Sequence, residues 1–241
     1  MSEYILRTKG MSKKYGGTYA LDDINIEIKR GQVYGLIGLN GSGKTTFMRG
    51  IMGLIALNAG EVELFGKTGR KKLQRERCRI GQCIETPALH PNRTAKQNLR
   101  IQQLIAGITD NTAINKTLDM VGLSDVAGKK TKHFSYGMKQ RLALAVALVT
   151  HPEFLILDEP ANGLDPKGII ETRNLIRRIN CEMGVTVLVS SHMLDELSQV
   201  ATHYGIIDKG KIIKQFSAEE LAAATTKRLD EYFMDLLEEG A

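Results

Sequence analysis

Apolar residues follow two different patterns along this chain, and the difference predicts its layers. Near the N-terminus Ile24, Ile26 and Ile28 alternate with Asp23, Asn25, Glu27 and Lys29, the period of an antiparallel strand with one face in the core and one in water. Val33 to Ile37, Phe154 to Leu157 and Val185 to Val189 are instead apolar almost without interruption. Strands buried on both faces belong to a parallel sheet covered by helices. Between Pro87 and Thr150 the pattern turns helical: Thr94 with Gln97 makes a capping box that predicts a helix through Ala106, and Ala113 to Val121 is spaced for another. From Ser217 onward two short helices are predicted, with Leu229, Tyr232, Phe233, Leu236 and Leu237 on one face.

The resulting expectation is an α/β fold with a mainly parallel core sheet. Residues 1–86 and 151–216 form that core together with an antiparallel β subdomain; 87–150 is an inserted helical subdomain, and 217–241 a C-terminal helical tail. A length of 241 residues suits one such module.

Composition adds limits. With 42% hydrophobic and 25% charged residues the chain is ordinary for a globular protein. The longest unbroken apolar run, Leu142 to Val149, is far short of the roughly 18 to 20 residues that cross a bilayer. Any membrane process it serves therefore needs a pore from another chain. Met1 to Gly10 lacks the apolar centre of a signal peptide, so a cytoplasmic location is expected. Three cysteines, Cys78, Cys83 and Cys181, have no metal-ligand spacing and fit reduced thiols. The net charge of +6 is concentrated in Arg70, Lys71, Lys72, Arg75, Arg77 and Arg79. Glu76 interrupts this cluster and no aromatics interleave it, so a solvated connecting segment is expected and no nucleic-acid partner.

The chemistry begins at Gly38-Leu39-Asn40-Gly41-Ser42-Gly43-Lys44-Thr45, which fits G-x-x-x-x-G-K-[ST] between a buried strand and a helical stretch running to Met52. Glycines let backbone N–H groups converge on phosphate oxygens, and the helix start adds orphan donors and a positive dipole end. ATP is therefore expected here, held by the residues from Gly38 to Thr46: Lys44 faces the β- and γ-phosphates and the Thr45 hydroxyl ligates Mg²⁺. Phe154 to Leu157 ends in Asp158 and Glu159 at the sheet edge where α/β proteins bind ligands. Asp158 is expected to hold Mg²⁺ through water, and Glu159 to polarise the attacking water as general base. These two elements do not choose among kinases, GTPases, motors and transport ATPases.

Phe134-Ser135-Tyr136-Gly137-Met138-Lys139-Gln140-Arg141 opens an apolar helix upstream of Asp158. It resembles the signature motif of ATP-binding cassette (ABC) ATPases, usually a Leu-Ser-Gly-Gly-Gln-like sequence. The resemblance implies the P-loop ABC ATPase fold and a dimer that sandwiches ATP, with Ser135, Gly137 and Met138 facing the γ-phosphate held by the other chain. It further implies that Tyr15 stacks on adenine, that Asp165 in Asn162-Gly163-Leu164-Asp165-Pro166 couples the two sites, and that His192 contacts the γ-phosphate. Ser135 as an N-cap and Pro166 in a first helical turn are sensible on local grounds as well.

One departure is informative. Ile80 to Pro87 carries Glu85 where most relatives place a glutamine, and Gln82 lies within the strand itself. The Glu85-Thr86-Pro87 version, followed by Pro91-Asn92 and Asn98-Leu99, resembles the bacitracin-resistance and lantibiotic-immunity branch. It puts a negative charge near the Mg²⁺ site, so Glu85 is counted among the metal-site residues. The function implied is the ATPase subunit of a bacterial exporter, peripheral on the inner face of the membrane, driving a separate permease docked near Glu85 to Asn98. The alternative is a soluble ABC ATPase acting on nucleic acid, ribosomes or cofactor assembly. A kinase or GTPase leaves the Ser135 segment and His192 unexplained.

Overall fold

The strands expected to be apolar on both faces all lie in one six-stranded sheet. The computed structural model describes residues 2–85, 89–224 and 229–239. Thr86 and Pro87 lie outside the described residues, as does the side chain of Leu237. The first half of the chain forms β1 (Tyr4–Tyr15), β2 (Thr18–Ile24), β3 (Glu27–Lys29), β4 (Val33–Ile37), α1 (Lys44–Ile51), β5 (Ala59–Leu64), α2 (Arg70–Glu76), β6 (Ile80–Cys83), α3 (Ala95–Ile105) and α4 (Thr112–Met120). The second half adds α5 (Tyr136–Leu148), β7 (Phe154–Asp158), α6 (Pro166–Met183), β8 (Thr186–Ser191), α7 (Leu194–Ser198), β9 (His203–Asp208), β10 (Lys211–Ser217), α8 (Ala218–Ala224) and α9 (Leu229–Glu239).

The main sheet runs β10-β9-β4-β8-β7-β6, parallel throughout except for β10 at one edge. Its two faces explain the unbroken apolar runs. Leu155, Leu157, Val187 and Val189 join one core cluster, while Phe154, Ile156 and Leu188 join the other, so successive residues of these apolar runs fill cores on opposite faces of the sheet. The second cluster is closed by α1 and by an antiparallel sheet in which β1 pairs with β2, β3 and β5. Ile24, Ile26 and Ile28 are fully buried there, as their alternation predicts. They do not form one strand, however. The chain breaks between β2 and β3, just after Asp23, whose φ of 56° turns the backbone out of extended geometry.

The capping box forms in both directions: Gln97 N donates to Thr94 Oγ1 at 3.2 Å and Thr94 N to Gln97 Oε1 at 3.0 Å. Its helix, α3, ends at Ile105 with Ala106 as the cap, and the second predicted helix is α4. The last helix of the 87–150 block is less separate than its place in the sequence suggests. Residues Leu142 to Val149 are buried with the sheet, except for Val146, which is partly buried against it. A Cβ on Gly81 of β6 would stand 2.3 Å from the Ala147 carbonyl, so glycine is what lets α5 lie this close. In the tail, Leu229 and Phe233 are buried in the same cluster, with Tyr232 and Leu236 packed against it. Among the described residues no helix is long and apolar enough to cross a membrane.

Candidate functional site

Parallel pairing brings the carboxyl ends of β4, β7 and β8 to one edge, and the chemistry collects there. After β4, residues 38–43 turn into α1 through Gly43, whose φ is 115° and whose Cβ would lie 2.6 Å from the Ala20 carbonyl. At Gly38 a Cβ would stand 2.4 Å from both the Ile207 carbonyl and Ser42 Oγ. The loop can close only with glycine at these two positions. It is anchored from below by Gly210 N donating to the Ser42 carbonyl at 2.9 Å.

Inside this turn Lys44 is buried, its ammonium donating to the carbonyls of Gly38 at 2.7 Å and Leu39 at 3.1 Å. It also stands 3.4 Å from Glu159 Oε1. The Thr45 hydroxyl donates to Asp158 Oδ2 at 2.6 Å, linking the start of α1 to the end of β7. Glu159 follows with a φ of 47°, a left-handed backbone uncommon for a non-glycine residue and found disproportionately at functional sites. Its Oε2 receives the Asn162 amide at 3.2 Å and lies 3.0 Å from His192 Nδ1. Lys44, Thr45, Asp158, Glu159 and His192, all singled out in the sequence, thus lie in one cluster.

Other expected residues stand apart from it. Ser135 caps α5, accepting from Met138 N at 3.3 Å, and shares a surface with Gly163, Leu164 and Asp165 rather than with the phosphate loop. Gly137 has no backbone need for glycine, and a Cβ there would meet only Leu164, at an ordinary 3.5 Å. Asp165 caps α6, accepting from Gly168 N at 3.0 Å, with Pro166 as the first helical residue. Tyr15 ends β1 about half exposed. Glu85, expected beside the metal, is instead ion-paired with Arg49 of α1, a contact that pushes the Arg49 guanidinium further up. Arg49 carries opposite charge within reach, whereas Asp158 would repel a second carboxylate. In this structure the partner of Glu85 is Arg49, which also feels the charge of Asp158.

The sequence pattern described as ABC transporter matches residues 21–162, more than half of the chain. This chain belongs to the ABC transporter family. Among curated relatives, the bacitracin transport ATP-binding protein BcrA of Bacillus licheniformis is 42% identical over 94% of this chain and 74% of its own length. The lantibiotic transport ATP-binding protein SrtF of Streptococcus pyogenes is 39% identical over 90% and 93% of the two chains. Among solved structures, CbiO1 of Clostridium perfringens, part of an ABC transporter complex, superposes with a TM-score of 0.81 at 30% identity over 92% of each chain. An ATP-binding cassette solved as a dimer in a post-hydrolysis state with ADP and Pi gives 0.80 at 26% identity, over 88% of this chain and 98% of that one. As a member of this family the chain binds and hydrolyses ATP and powers a membrane transport system.

For an ABC ATPase, two residues of this site escaped the sequence reading. Ser190 of β8 is the register partner of Asp158 in β7. Fully buried, its hydroxyl donates to Asp158 Oδ1 at 2.6 Å and accepts from Glu159 N at 3.0 Å. One side chain therefore orients both carboxylate residues. The signal was a pair of serines, Ser190 and Ser191, closing an apolar strand just before His192. Asn162 is the other: its amide donates to Glu159 Oε2, a contact that its place in the Asn162–Pro166 motif does not reveal. Ser190→Ala should lower kcat for ATP about 10- to 100-fold, since a buried hydrogen bond to a charged group is worth about 1.5–3 kcal/mol. Steady-state ATPase assays check this, with nucleotide titration showing affinity retained.

Proposed function

We propose that this chain is the ATPase subunit of a bacterial exporter that closes into a dimer around ATP and drives a separate membrane permease. The observation that carries this reading is the split between two surfaces. The hydrolytic groups converge at Lys44, Asp158, Glu159 and His192, whereas the anion-attracting start of α5 lines a separate surface with Gly163, Leu164 and Asp165. A Cβ on Gly137 would meet only Leu164, at 3.5 Å, so the backbone at the start of α5 is not walled in and suits an anion arriving from a second chain. With the two chains related by a two-fold axis, each phosphate loop would meet the partner's Ser135 to Met138 segment.

The residues present fit ATP and Mg²⁺. Ser42 Oγ is buried with no hydrogen-bond partner among the described residues, an orphan that a phosphate oxygen would satisfy. Lys44 can exchange its two loop carbonyls for phosphate oxygens without leaving the turn. No cluster of three or more His, Cys, Asp or Glu among the described residues could hold a metal by itself, which suits an ion shared with substrate phosphates. Mg²⁺ would be held by the Thr45 hydroxyl and, through water, by Asp158, and when bound it neutralises charge building on the phosphates.

In hydrolysis a water oxygen forms the new bond to the γ-phosphorus as the bond to the ADP oxygen breaks. Glu159 accepts the water proton, with Asn162 and His192 fixing the carboxylate. Loss of the γ-phosphate removes the bridge between chains and reopens the dimer. Tyr15 offers an exposed ring for adenine.

The permease would dock at the groove of about 610 Å³ between the end of β6 and helices α3 and α5, where Ile105 is exposed and Glu85 meets Arg49. Relatives named for bacitracin and lantibiotic transport support a peptide antibiotic as cargo, and docking on a permease would hold the chain at the inner membrane face. The test is affinity purification from detergent-solubilised membranes of the native organism. An integral membrane protein should co-purify in stoichiometric amount. Recovery of the chain only from the soluble fraction, bound to nucleic acid in a salt-sensitive manner, would sink the exporter reading.

A further inference from the structure

A run of hydrogen bonds reaches Glu159 from the helical subdomain. The Tyr136 hydroxyl, on the first residue of α5, donates to the Asn162 carbonyl at 3.1 Å. Gln140, one turn along the same helix, donates its amide to that hydroxyl at 2.8 Å. A hydroxyl has a single proton, so the amide of Gln140 takes up an oxygen lone pair and leaves the proton aimed at Asn162. Asn162 passes the restraint on twice: its backbone N closes a turn on the Glu159 carbonyl at 3.1 Å, and its side-chain amide donates to Glu159 Oε2 at 3.2 Å.

The neighbouring residue makes such a restraint useful. Gly163 has a φ of 74°, and a Cβ there would lie 3.2 Å from the Tyr136 ring, so glycine both makes the left-handed turn and lets the ring approach the loop backbone. Tyr136 itself is 54% exposed. Its hydroxyl could bond water at no cost, so burial does not explain the contact. The Leu-Ser-Gly-Gly-Gln pattern has glycine at this place, which could not reach Asn162 at all.

We infer that Tyr136 is a positioning residue for ATP hydrolysis: its hydroxyl fixes Asn162, whose amide sets the Glu159 carboxylate. The start of α5 is thereby tied to the base in the same chain, and an anion docking on that helix end moves a group that orients Glu159. The inference rests on the reading of Glu159 as the base.

Tyr136→Phe keeps the ring against Gly163 and removes only the hydroxyl. In the full-length protein kcat for ATP should fall about 3- to 10-fold, the equivalent of one lost hydrogen bond, with KM for ATP and the melting temperature unchanged. Asn162→Ala should lose at least as much, and the double variant no more than Asn162→Ala alone, because both act through one link. Multiplying losses in the double variant would overturn the link. So would a parental kcat in Tyr136→Phe while Glu159→Gln is inactive, or a raised KM together with a lowered melting temperature, which would make Tyr136 merely structural. Parental hydrolysis by Glu159→Gln would remove the base assignment, and the inference with it.

Discussion

Glu159→Gln should cut ATP hydrolysis by about 10²- to 10⁴-fold, the usual contribution of a positioned general base, while nucleotide binding survives. Glutamine keeps the shape of the side chain and an oxygen that can accept from the Asn162 amide, but it cannot take a proton from water. The substitution also removes a carboxylate that stands 3.4 Å from the Lys44 ammonium. In the apo chain that carboxylate competes with phosphate for the lysine, so affinity for ATP should hold or rise. With hydrolysis blocked, the ATP-bound dimer should accumulate. Light scattering after size exclusion with ATP and Mg²⁺ should show twice the monomer mass for Glu159→Gln, with ADP leaving it monomeric. Hydrolysis at the parental rate would show that another group acts as base, and a monomer under all conditions would remove the composite site.

Lys44→Ala should weaken ATP by about 100-fold. One charge-assisted hydrogen bond is worth about 1.5–3 kcal/mol, and Lys44 is placed to make one to each of two phosphates. The loss should be selective: ATP and ADP suffer, whereas AMP, which lacks the β- and γ-phosphates, binds as weakly as before. Calorimetric titration of all three nucleotides measures this directly. Because Lys44 is buried and tethers the carbonyls of Gly38 and Leu39, some stability is also lost, and thermal melting separates the two effects. ATP affinity within twofold of the parent, in a variant that melts normally, would place the phosphates elsewhere.

Much of the site was legible because its motifs are local. The glycines from Gly38 to Gly43, the apolar strand ending in Asp158, and the Thr94–Gln97 cap each depend on residues within a few positions of one another, so spacing alone carries their geometry. Ser190 was not legible in this way. Its role follows from lying beside Asp158 across two parallel strands. The sequence puts Glu85 near the metal but does not show its ion-pair partner, Arg49, 36 positions earlier on α1, which only the folded chain brings beside it.

The same division holds for the whole molecule. Sequence marked the segments with strong local patterns: doubly buried strands from unbroken apolar runs, helices from caps and period, and a tight turn from the glycines between Gly38 and Gly43. Tertiary structure settled which segments meet. It put α5 in the same core as β7 and β8, set Ser190 against Asp158, and ran hydrogen bonds from Tyr136 through Asn162 to Glu159. Backbone propensity and burial pattern are properties of neighbouring residues, so the chain states them openly. A hydrogen bond or ion pair between distant residues depends on sheet order and strand register, which no short stretch of sequence contains.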